Sequence, residues 1–335
     1  MKERGVGMKH NLFRSVDLFA GIGGIRLAFE AYGVECAFAS EWDKYACDMY
    51  ENHFGERPAG DITKIHEQDI PNHDILLAGF PCQAFSIMGD KRGFAESRGT
   101  LFFDIARIVN VKRPLCVFLE NVKNFKSHDN GKTFQVVKNT LDELGYDVNT
   151  KVLNALDFGL PQKRERIIIV AFRKELNTTF TYPNKSIIKD RKLEDILFPR
   201  NKVASKYFVS PYILKKRHLK CSTKLKLSIW HENKSKDVTA SSFSCALRAG
   251  ASHSYLLVNG ERRLTPRECM RLQGFPEDYE IVISDTQMKK VTGNTVPIPM
   301  IRAVAKEVVK TLKKSLVASK RNKVTNEIFT GQRQP

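Results

Sequence analysis

Short apolar runs alternate with segments of helical spacing through the first half of the chain. The runs predict strands at residues 15–19, 35–40, 74–78, 115–119, 148–156 and 166–172. Apolar residues three or four apart predict helices at residues 22–31, 44–53, 101–111 and 133–144. Such alternation is typical of an open sheet whose consecutive strands are joined by helices. We therefore predict an α/β fold with a doubly wound, mostly parallel sheet and helices on both faces.

The alternation stops near residue 174, where short, polar, lysine-rich pieces begin. Helical spacing returns at residues 265–272 and 299–316. The pattern predicts one domain over residues 1–185 and a smaller, irregular domain inserted over residues 186–280. Residues 281–320 are expected to return to the first domain and pack a helix on it, and residues 321–335 to form a basic tail.

The positive charge is concentrated in two places. The chain of 335 residues has 55 Lys+Arg, 37 Asp+Glu and a net charge of +18. Residues 173–262 hold a surplus of 12 positive charges and residues 301–335 a surplus of 7, so the rest is nearly neutral. The tail is typical of a solvated helix end. In the insertion, basic residues interleave with aromatic ones such as Tyr212 and Trp230, which favours a phosphate-contacting surface over a plain solvated face.

Composition narrows the class of protein further. Hydrophobic residues make up 42% of the chain, which excludes bulk disorder. No run of about 18 apolar residues is present, so no membrane-spanning helix is expected. The first residues lack the apolar core of a secretory signal. Seven cysteines without a Cys-x-x-Cys pair indicate reduced thiols in a cytoplasmic protein, with no disulfide framework and no metal site.

A glycine-rich turn follows the first predicted strand. Gly21, Gly23 and Gly24 let a ligand approach the backbone at the carboxyl edge of the sheet, although a simple tight turn gives the same signal. The dinucleotide fingerprint needs a further glycine where Arg26 stands, which disfavours a pyrophosphate ligand.

Acidic and aromatic residues follow the next elements. Glu41 lies 20 residues after Gly21, where a carboxylate accepts the ribose hydroxyls of a nucleoside. Trp42 offers an aromatic face to adenine, and Asp61, followed by Ile62, is placed to bind the adenine amino group. A nucleoside without a pyrophosphate indicates S-adenosylmethionine.

One cysteine is a candidate nucleophile. Cys82 lies in a loop at the same sheet edge, between the stiff Pro81 and the polar Gln83, whereas most cysteines are small buried hydrophobes. Glu120 follows a fully apolar strand and projects toward this edge. It either caps the following helix or, beside a thiol, donates a proton from a raised pKa.

Two arginines complete the candidate chemistry. Arg164 and Arg166 alternate to one face of a further strand, so both suit a single anionic site.

Taken together, and in this order, these blocks resemble the cytosine-C5 DNA methyltransferases. The matching segments are residues 17–24, 41–42, 61–62, 79–86, 120–122, 162–166, 263–276 and 293–299. The resemblance covers nearly the whole chain outside the basic insertion, and is greatest to the small bacterial restriction–modification type. It implies the S-adenosylmethionine-dependent methyltransferase fold. It also implies a large catalytic domain, a small target-recognition domain, and double-stranded DNA in the cleft between them.

The resemblance also assigns roles to residues. Cys82 adds to C6 of a flipped-out cytosine, Glu120 hydrogen-bonds N3 as a protonated acid, and Arg166, supported by Arg164, holds the O2 side. The implied cofactor-binding residues are Phe19, Gly21, Gly23, Gly24, Glu41, Trp42, Asp61, Ile62, Gly79, Pro81, Leu101, Asn294 and Val296.

DNA contacts are expected from a lid at residues 87–99, from the loop before it and from the insertion. The implied residues are Gln83, Ser86, Lys91, Arg92, Lys215, Lys216, Arg217 and Arg248. Residues 241–254, around Arg248, are the predicted base-reading loop. We expect a monomer that binds no membrane and shares its DNA site with a cognate restriction endonuclease, without binding that enzyme. Two alternatives stay open: a tRNA cytosine-C5 methyltransferase, and a catalytically inactive DNA-binding protein.

Overall fold

The structure is a computed structural model that describes residues 13–81, 101–184, 189–252 and 254–330, with side chains up to residue 318. Seven strands lie in the first half of the chain: β1 (Phe13–Leu18), β2 (Val34–Ser40), β3 (Ile75–Gly79), β4 (Cys116–Val122), β5 (Tyr146–Asn154), β6 (Gln162–Lys163) and β7 (Glu165–Arg173). Six of them form one sheet in the order β2-β1-β3-β4-β7-β5. Only β7 runs against its neighbours, which confirms the mostly parallel sheet.

Helices cover both faces of this sheet and also occur in the insertion. They are α1 (Gly24–Glu30), α2 (Lys44–Phe54), α3 (Leu101–Lys112), α4 (Lys132–Glu143), α5 (Leu193–Ile196), α6 (Pro211–Lys220), α7 (Pro266–Gln273), α8 (Asp285–Asn294) and α9 (Ile298–Thr330). One apolar core joins the sheet to α1, α2 and α9, and a second joins it to α3 and α4. Helix α9 lies against α1, as expected for a chain that returns to its first domain.

The strand sequences explain why both faces are covered. In β3, Ile75 and Leu77 belong to one core, and Leu76 and Ala78 to the other. Alternate residues of a strand point to opposite faces, so an uninterrupted apolar run requires cover on both sides. The strand order reverses between β1 and β3, which opens a crevice at their carboxyl ends, where doubly wound sheets bind ligands.

The insertion contains a small sheet of its own. Strands β8 (Ile229–Glu232), β9 (Val238–Ser241) and β11 (Leu256–Val258) pair in the antiparallel order β11-β8-β9, while β10 (Ser244–Cys245) pairs with β6 of the first half. A separate apolar core joins this sheet to α5 and α7. The boundaries at residues 185 and 280 stay a prediction. None of the helices in the described ranges has the length and apolarity that a membrane span requires.

Candidate active site

A cavity of about 610 Å³ lies at the carboxyl ends of β1, β3 and β4. Its size is in the range of small-molecule sites. Of the thirteen residues predicted to bind a cofactor, the cavity is lined by nine: Phe19, Gly21, Glu41, Trp42, Asp61, Ile62, Pro81, Leu101 and Asn294. Glu120 and Arg166, predicted for catalysis, line the same cavity. The carboxyl edge of the sheet thus brings the two predicted sets of side chains together.

The turn after β1 has an unusual backbone. Phe19 has a φ of 56°, which costs about 1–3 kcal/mol for a bulky residue. Gly21 follows with a φ of 55°, and its backbone lines the cavity. Strain held next to a cavity is typical of a ligand site.

Four predicted cofactor residues do not line the cavity. These are Gly23, Gly24, Gly79 and Val296. A Cβ on Gly23 would lie 2.3 Å from the Phe54 ring, and one on Gly24 would lie 2.8 Å from Thr295 Oγ1. These two glycines therefore let α1 pack closely on its neighbours.

The carboxylate of Glu41 fixes the cavity wall. Its Oε2 accepts from the amide of Gly21 at 2.8 Å, while Oε1 accepts from Trp42 and Asp43 at 2.9 and 2.8 Å. Burial raises the pKa of Glu41, and the three amides oppose that shift. Because Oε1 already accepts two hydrogen bonds and Oε2 only one, Oε2 keeps a lone pair for a further donor.

Two further side chains give the cavity nucleoside-binding chemistry. The Trp42 ring is 80% exposed although it lines the cavity, so an aromatic face is open to a ligand. Asp61 accepts from the Thr63 amide and hydroxyl through Oδ1. Its Oδ2 lies 3.8 Å from Lys64 Nζ.

Glu120 and Arg166 form a buried pair on the adjacent strands β4 and β7. Arg166 Nε lies 2.7 Å from Glu120 Oε1. Burial raises the pKa of Glu120, and the charges of Arg166 and Arg164 oppose the rise. Arg166 also donates to the carbonyl of Glu165 at 2.9 Å, which orients its guanidinium.

Arg164, predicted to support Arg166 at the base, does not itself line the cavity. Its side chain is buried and donates to the carbonyls of Leu247, Gly293 and Thr295 at 2.8, 2.9 and 2.6 Å. Its hydrogen bonds thus go to backbone carbonyls, and of the two arginines Arg166 alone lines the cavity.

The family model for C-5 cytosine-specific DNA methylases matches residues 13–310 of this chain. The chain belongs to the C-5 cytosine-specific DNA methylase family. It is therefore a DNA cytosine-C5 methyltransferase, and the methyl donor of such enzymes is in general S-adenosylmethionine.

Curated relatives of this methylase are similar over nearly their whole length. The Type II methyltransferase M.HaeII of Haemophilus aegyptius is 54% identical over 301 residues, 90% of this chain and 94% of that protein. M.HhaI of Haemophilus parahaemolyticus is 47% identical over 304 residues, which is 87% of this chain and 93% of that protein. The crystal structure of a Spodoptera frugiperda DNMT2 mutant matches with a TM-score of 0.71 over 88% of this chain and 99% of that chain. Because the two sequences are only 21% identical, this match shows the fold alone. These findings do not favour the tRNA-modifying or inactive alternatives.

Several predicted residues of the methylase lie outside the described ranges. They are Cys82, Gln83, Ser86, Lys91 and Arg92. Pro81, the residue before Cys82, lines the cavity.

The residues of the insertion that are predicted to contact DNA differ in their exposure to solvent. Lys215 is exposed and Lys216 half-buried on α6, whereas Arg217 is 4% exposed. Arg217 donates to Glu232 and to the Ser254 carbonyl, at 2.8 and 2.7 Å. The predicted phosphate contact by Arg217 is thus wrong, because its guanidinium is held inside the small domain.

Arg248 stays exposed. Its guanidinium lies 4.7 Å from the centre of the Tyr255 ring, whose hydroxyl accepts from the Arg248 amide. This contact fixes the direction of the side chain in the predicted base-reading loop.

Sequence reasoning missed several residues that line the cavity of the methylase. Phe80 and Asn121 lie inside motifs that the sequence had singled out, so their neighbours were the available signal. Lys290 lies on α8, a helix the sequence did not predict, and its Nζ lies 2.6 Å from Asp43 Oδ2. No pattern in the sequence marks that contact across 247 residues.

Proposed function

We propose that the methyltransferase holds S-adenosylmethionine in this cavity and modifies a cytosine that leaves the DNA duplex. One observation carries the proposal: a single cavity is lined by the nucleoside-type groups Glu41, Trp42 and Asp61 and by the buried pair Glu120 and Arg166. A transfer between two bound molecules requires both in one enclosed space.

The residues present fit the cofactor. The lone pair left on Glu41 Oε2 suits a ribose hydroxyl, the exposed face of Trp42 suits adenine, and Oδ2 of Asp61 suits the adenine amino group. Pro81 and Asn294 line the cavity beside them. When bound, the cofactor supplies a methyl group on a positively charged sulfur.

Cys82 is the proposed nucleophile. Cytosine C5 is a poor nucleophile, and addition of a thiolate to C6 forms a C6–S bond and makes C5 electron-rich. After C5 has gained the methyl group, loss of the C5 proton restores the C5–C6 double bond and breaks the C6–S bond. The thiolate is thereby returned, the C5 proton passes to a general base, and the methyl donor would be left as a neutral thioether once its methyl–sulfur bond has broken. Cys82 follows Pro81 directly in the chain, which supports its placement at the cavity.

Glu120 and Arg166 act on the opposite edge of the base in this proposal. Addition to C6 pushes electron density toward N3, which a protonated Glu120 neutralises by donating a hydrogen bond. The raised pKa of Glu120 supports this protonated state. Arg166 donates toward O2. Its ion pair with Glu120 holds the two side chains next to each other, as N3 and O2 are on the base.

DNA binding falls to the insertion and to the loop after Pro81. Lys215 and Lys216 contact phosphates, and Arg248 lies in the base-reading loop. Cytosine C5 is inaccessible to the thiol inside a duplex, so the base flips out. Relatives named Type II methyltransferases support a role in a restriction–modification system. We propose that the enzyme acts there as a cytoplasmic monomer and shares its site with an endonuclease.

A covalent trap tests the nucleophile. Duplex DNA with 5-fluorocytosine at the target should form a stable adduct with the parent enzyme, because fluorine does not leave as a cation. Cys82→Ser should abolish both the adduct and methyl transfer while cofactor binding persists, since serine ionises far less readily. Cys221→Ser, which changes a half-buried thiol at the end of α6, is the matched control and should keep full activity. Substantial turnover by Cys82→Ser refutes the assignment.

Tryptophan fluorescence tests the cofactor site. The chain has two tryptophans, and Trp230 is buried in the small sheet while Trp42 is exposed in the cavity. S-adenosylmethionine should change the emission of the parent, and Trp42→Phe should remove that change and weaken binding measured by calorimetry. An unchanged signal in Trp42→Phe would place the cofactor elsewhere.

A further inference from the structure

Arg164 joins three segments that are far apart in the chain. Its guanidinium donates to the carbonyls of Leu247, Gly293 and Thr295, which lie 83, 129 and 131 residues away. Leu247 follows β10 in the insertion, Gly293 lies in the last turn of α8, and Thr295 begins the connection to α9. One side chain therefore holds the insertion against the returning part of the catalytic domain.

The charge of this side chain is costly where it stands. Arg164 is 1% exposed and its hydrogen-bond partners are carbonyls alone. Burial lowers its pKa to about 9. A planar guanidinium presents several donors in a fixed fork, whereas a lysine ammonium cannot reach three carbonyls in this arrangement. The site therefore requires the planar, forked geometry of a guanidinium, although burial of its positive charge is unfavourable.

Two of the three carbonyls directly precede functional positions in the chain. Leu247 precedes Arg248 of the base-reading loop, and Gly293 precedes Asn294 of the cavity. The two segments touch, because a Cβ on Gly293 would lie 2.2 Å from the backbone nitrogen of Ala249.

The segment that carries Arg164 is anchored on both sides. Gln162 pairs with Ser244 between β6 and β10 and donates to the Leu272 carbonyl at 2.9 Å. Two residues beyond Arg164, Arg166 meets Glu120 in the cavity. A short stretch of chain thus contacts the base-reading loop, the cofactor wall and the catalytic pair.

We propose that Arg164 is a positioning residue that couples recognition of the DNA sequence to methyl transfer. It sets the distance between the base-reading loop and the wall of the cavity. A duplex that seats correctly on Arg248 then presents its cytosine at Glu120 and Arg166, and a wrong sequence does not. The proposal rests on the proposed function, and adds to it the residue through which specificity acts.

The test compares correct and incorrect DNA sites. The parent, Arg164→Lys and Arg262→Lys are assayed for kcat and KM on the duplex methylated by the parent and on duplexes with one base pair changed. Arg262 is the matched control because it is 3% exposed, donates to Glu268 at 2.8 and 2.9 Å, and does not line the cavity. The affinity for S-adenosylmethionine and the free energy of unfolding are measured for all three.

Arg164→Lys should lower kcat on the correct site and reduce the ratio of kcat/KM between correct and changed sites by about tenfold or more, since small misplacements cost large factors in rate. Its cofactor affinity should stay within about twofold of the parent. Arg262→Lys should lose stability and keep the ratio. An unchanged ratio in Arg164→Lys overturns the proposal, because a purely structural role scales all substrates equally.

A second variant covers the case in which Arg164→Lys does not fold. Gly293→Ala pushes Ala249 away without changing any charge, and should reduce the same ratio. A retained ratio in a folded Gly293→Ala protein also overturns the proposal. Failure of the proposed function is recognised separately, since the parent itself would then not methylate duplex DNA.

Discussion

The side-chain amide of Asn121 donates to the carbonyl of Phe80 across 3.0 Å in the interior of the protein. The same side chain accepts from the Val122 amide at 2.8 Å, which fixes its orientation. It therefore ties the end of β4, which carries Glu120, to the segment that leads through Pro81 to Cys82. The proposed proton donor and the proposed nucleophile are thus connected through one side-chain amide.

Removing this amide should impair catalysis more than cofactor binding. Asn121→Ala is expected to lower kcat by about 10–100-fold, because the loop before Cys82 loses its anchor. Methyl transfer and calorimetric cofactor titration measure the two effects. Asn139→Ala is a control, since Asn139 is exposed on α4 and its side chain accepts from Gln135 on the same helix. Equal kcat values in Asn121→Ala and the parent would contradict the anchoring role.

Glu120→Gln should lower kcat by about 100-fold or more, because the amide is a far weaker acid than a carboxyl group and stabilises the electron density at N3 less well. The pKa of Glu120 is raised by burial, so its protonated form persists to higher pH and is lost as pH rises through that raised pKa. An alkaline decline of kcat due to Glu120 should therefore vanish in the variant. Glu165→Gln, a neighbour that pairs with Lys123, should keep the decline. A variant that retains the parent's decline excludes Glu120 as its source.

Asp17 should make the fold more stable in mild acid. It is fully buried in β1, faces the charges of Arg26, Glu30 and Glu41, and burial raises its pKa from 3.8 to about 7. The folded state thus binds the proton more tightly than the unfolded chain, and stability falls as pH rises from about 4 to about 7. The loss amounts to about 4 kcal/mol.

Urea unfolding at several pH values measures this dependence. Asp17→Asn should lose that part of the slope and gain stability relative to the parent as the pH rises. Asp142→Asn, at an exposed residue paired with Lys174, should follow the parent. Parallel profiles for the parent and Asp17→Asn would show that the buried carboxyl does not titrate in this range.

Neighbouring residues on α6 should behave differently. Changing both Lys215 and Lys216 to alanine should reduce the slope of log Kd against log salt by about 2 and leave stability nearly unchanged. Arg217→Ala should cost about 2 kcal/mol of stability, because Glu232 and the Ser254 carbonyl lose their buried partner, and should leave the salt slope as it is. A smaller slope of log Kd against log salt in Arg217→Ala would show instead that Arg217 contacts DNA.

The sequence predicts the main sheet well because the strands are buried on both faces. All six predicted strands are present, with ends within three residues, since apolar runs such as 115–119 have few alternative uses. The short strands β8, β9 and β11 escape prediction because a strand of three or four residues is too short to show a periodicity. The sequence does not predict helix α8 either, because few of its side chains are buried.

Some residues of the site were likewise predictable from the sequence, and others were not. Glu41 follows β2, Asp61 follows a turn and Glu120 lies near the end of β4. The topology brings the ends of parallel strands together, so their meeting was predictable. The roles of Arg164 and Arg217 depend on carbonyls supplied by distant segments. A carbonyl is present at every residue and leaves no mark in the sequence, so only the folded chain reveals which ones an arginine meets.

Identification of the methylated nucleoside tests the central claim most directly. The purified protein is incubated with S-adenosylmethionine and duplex DNA, the DNA is digested, and the nucleosides are separated and weighed by mass spectrometry. The account predicts 5-methyl-2′-deoxycytidine from the parent and none from Cys82→Ser. Methylation on an exocyclic amino group of cytosine or adenine, or methyl transfer to tRNA with none to DNA, would contradict it.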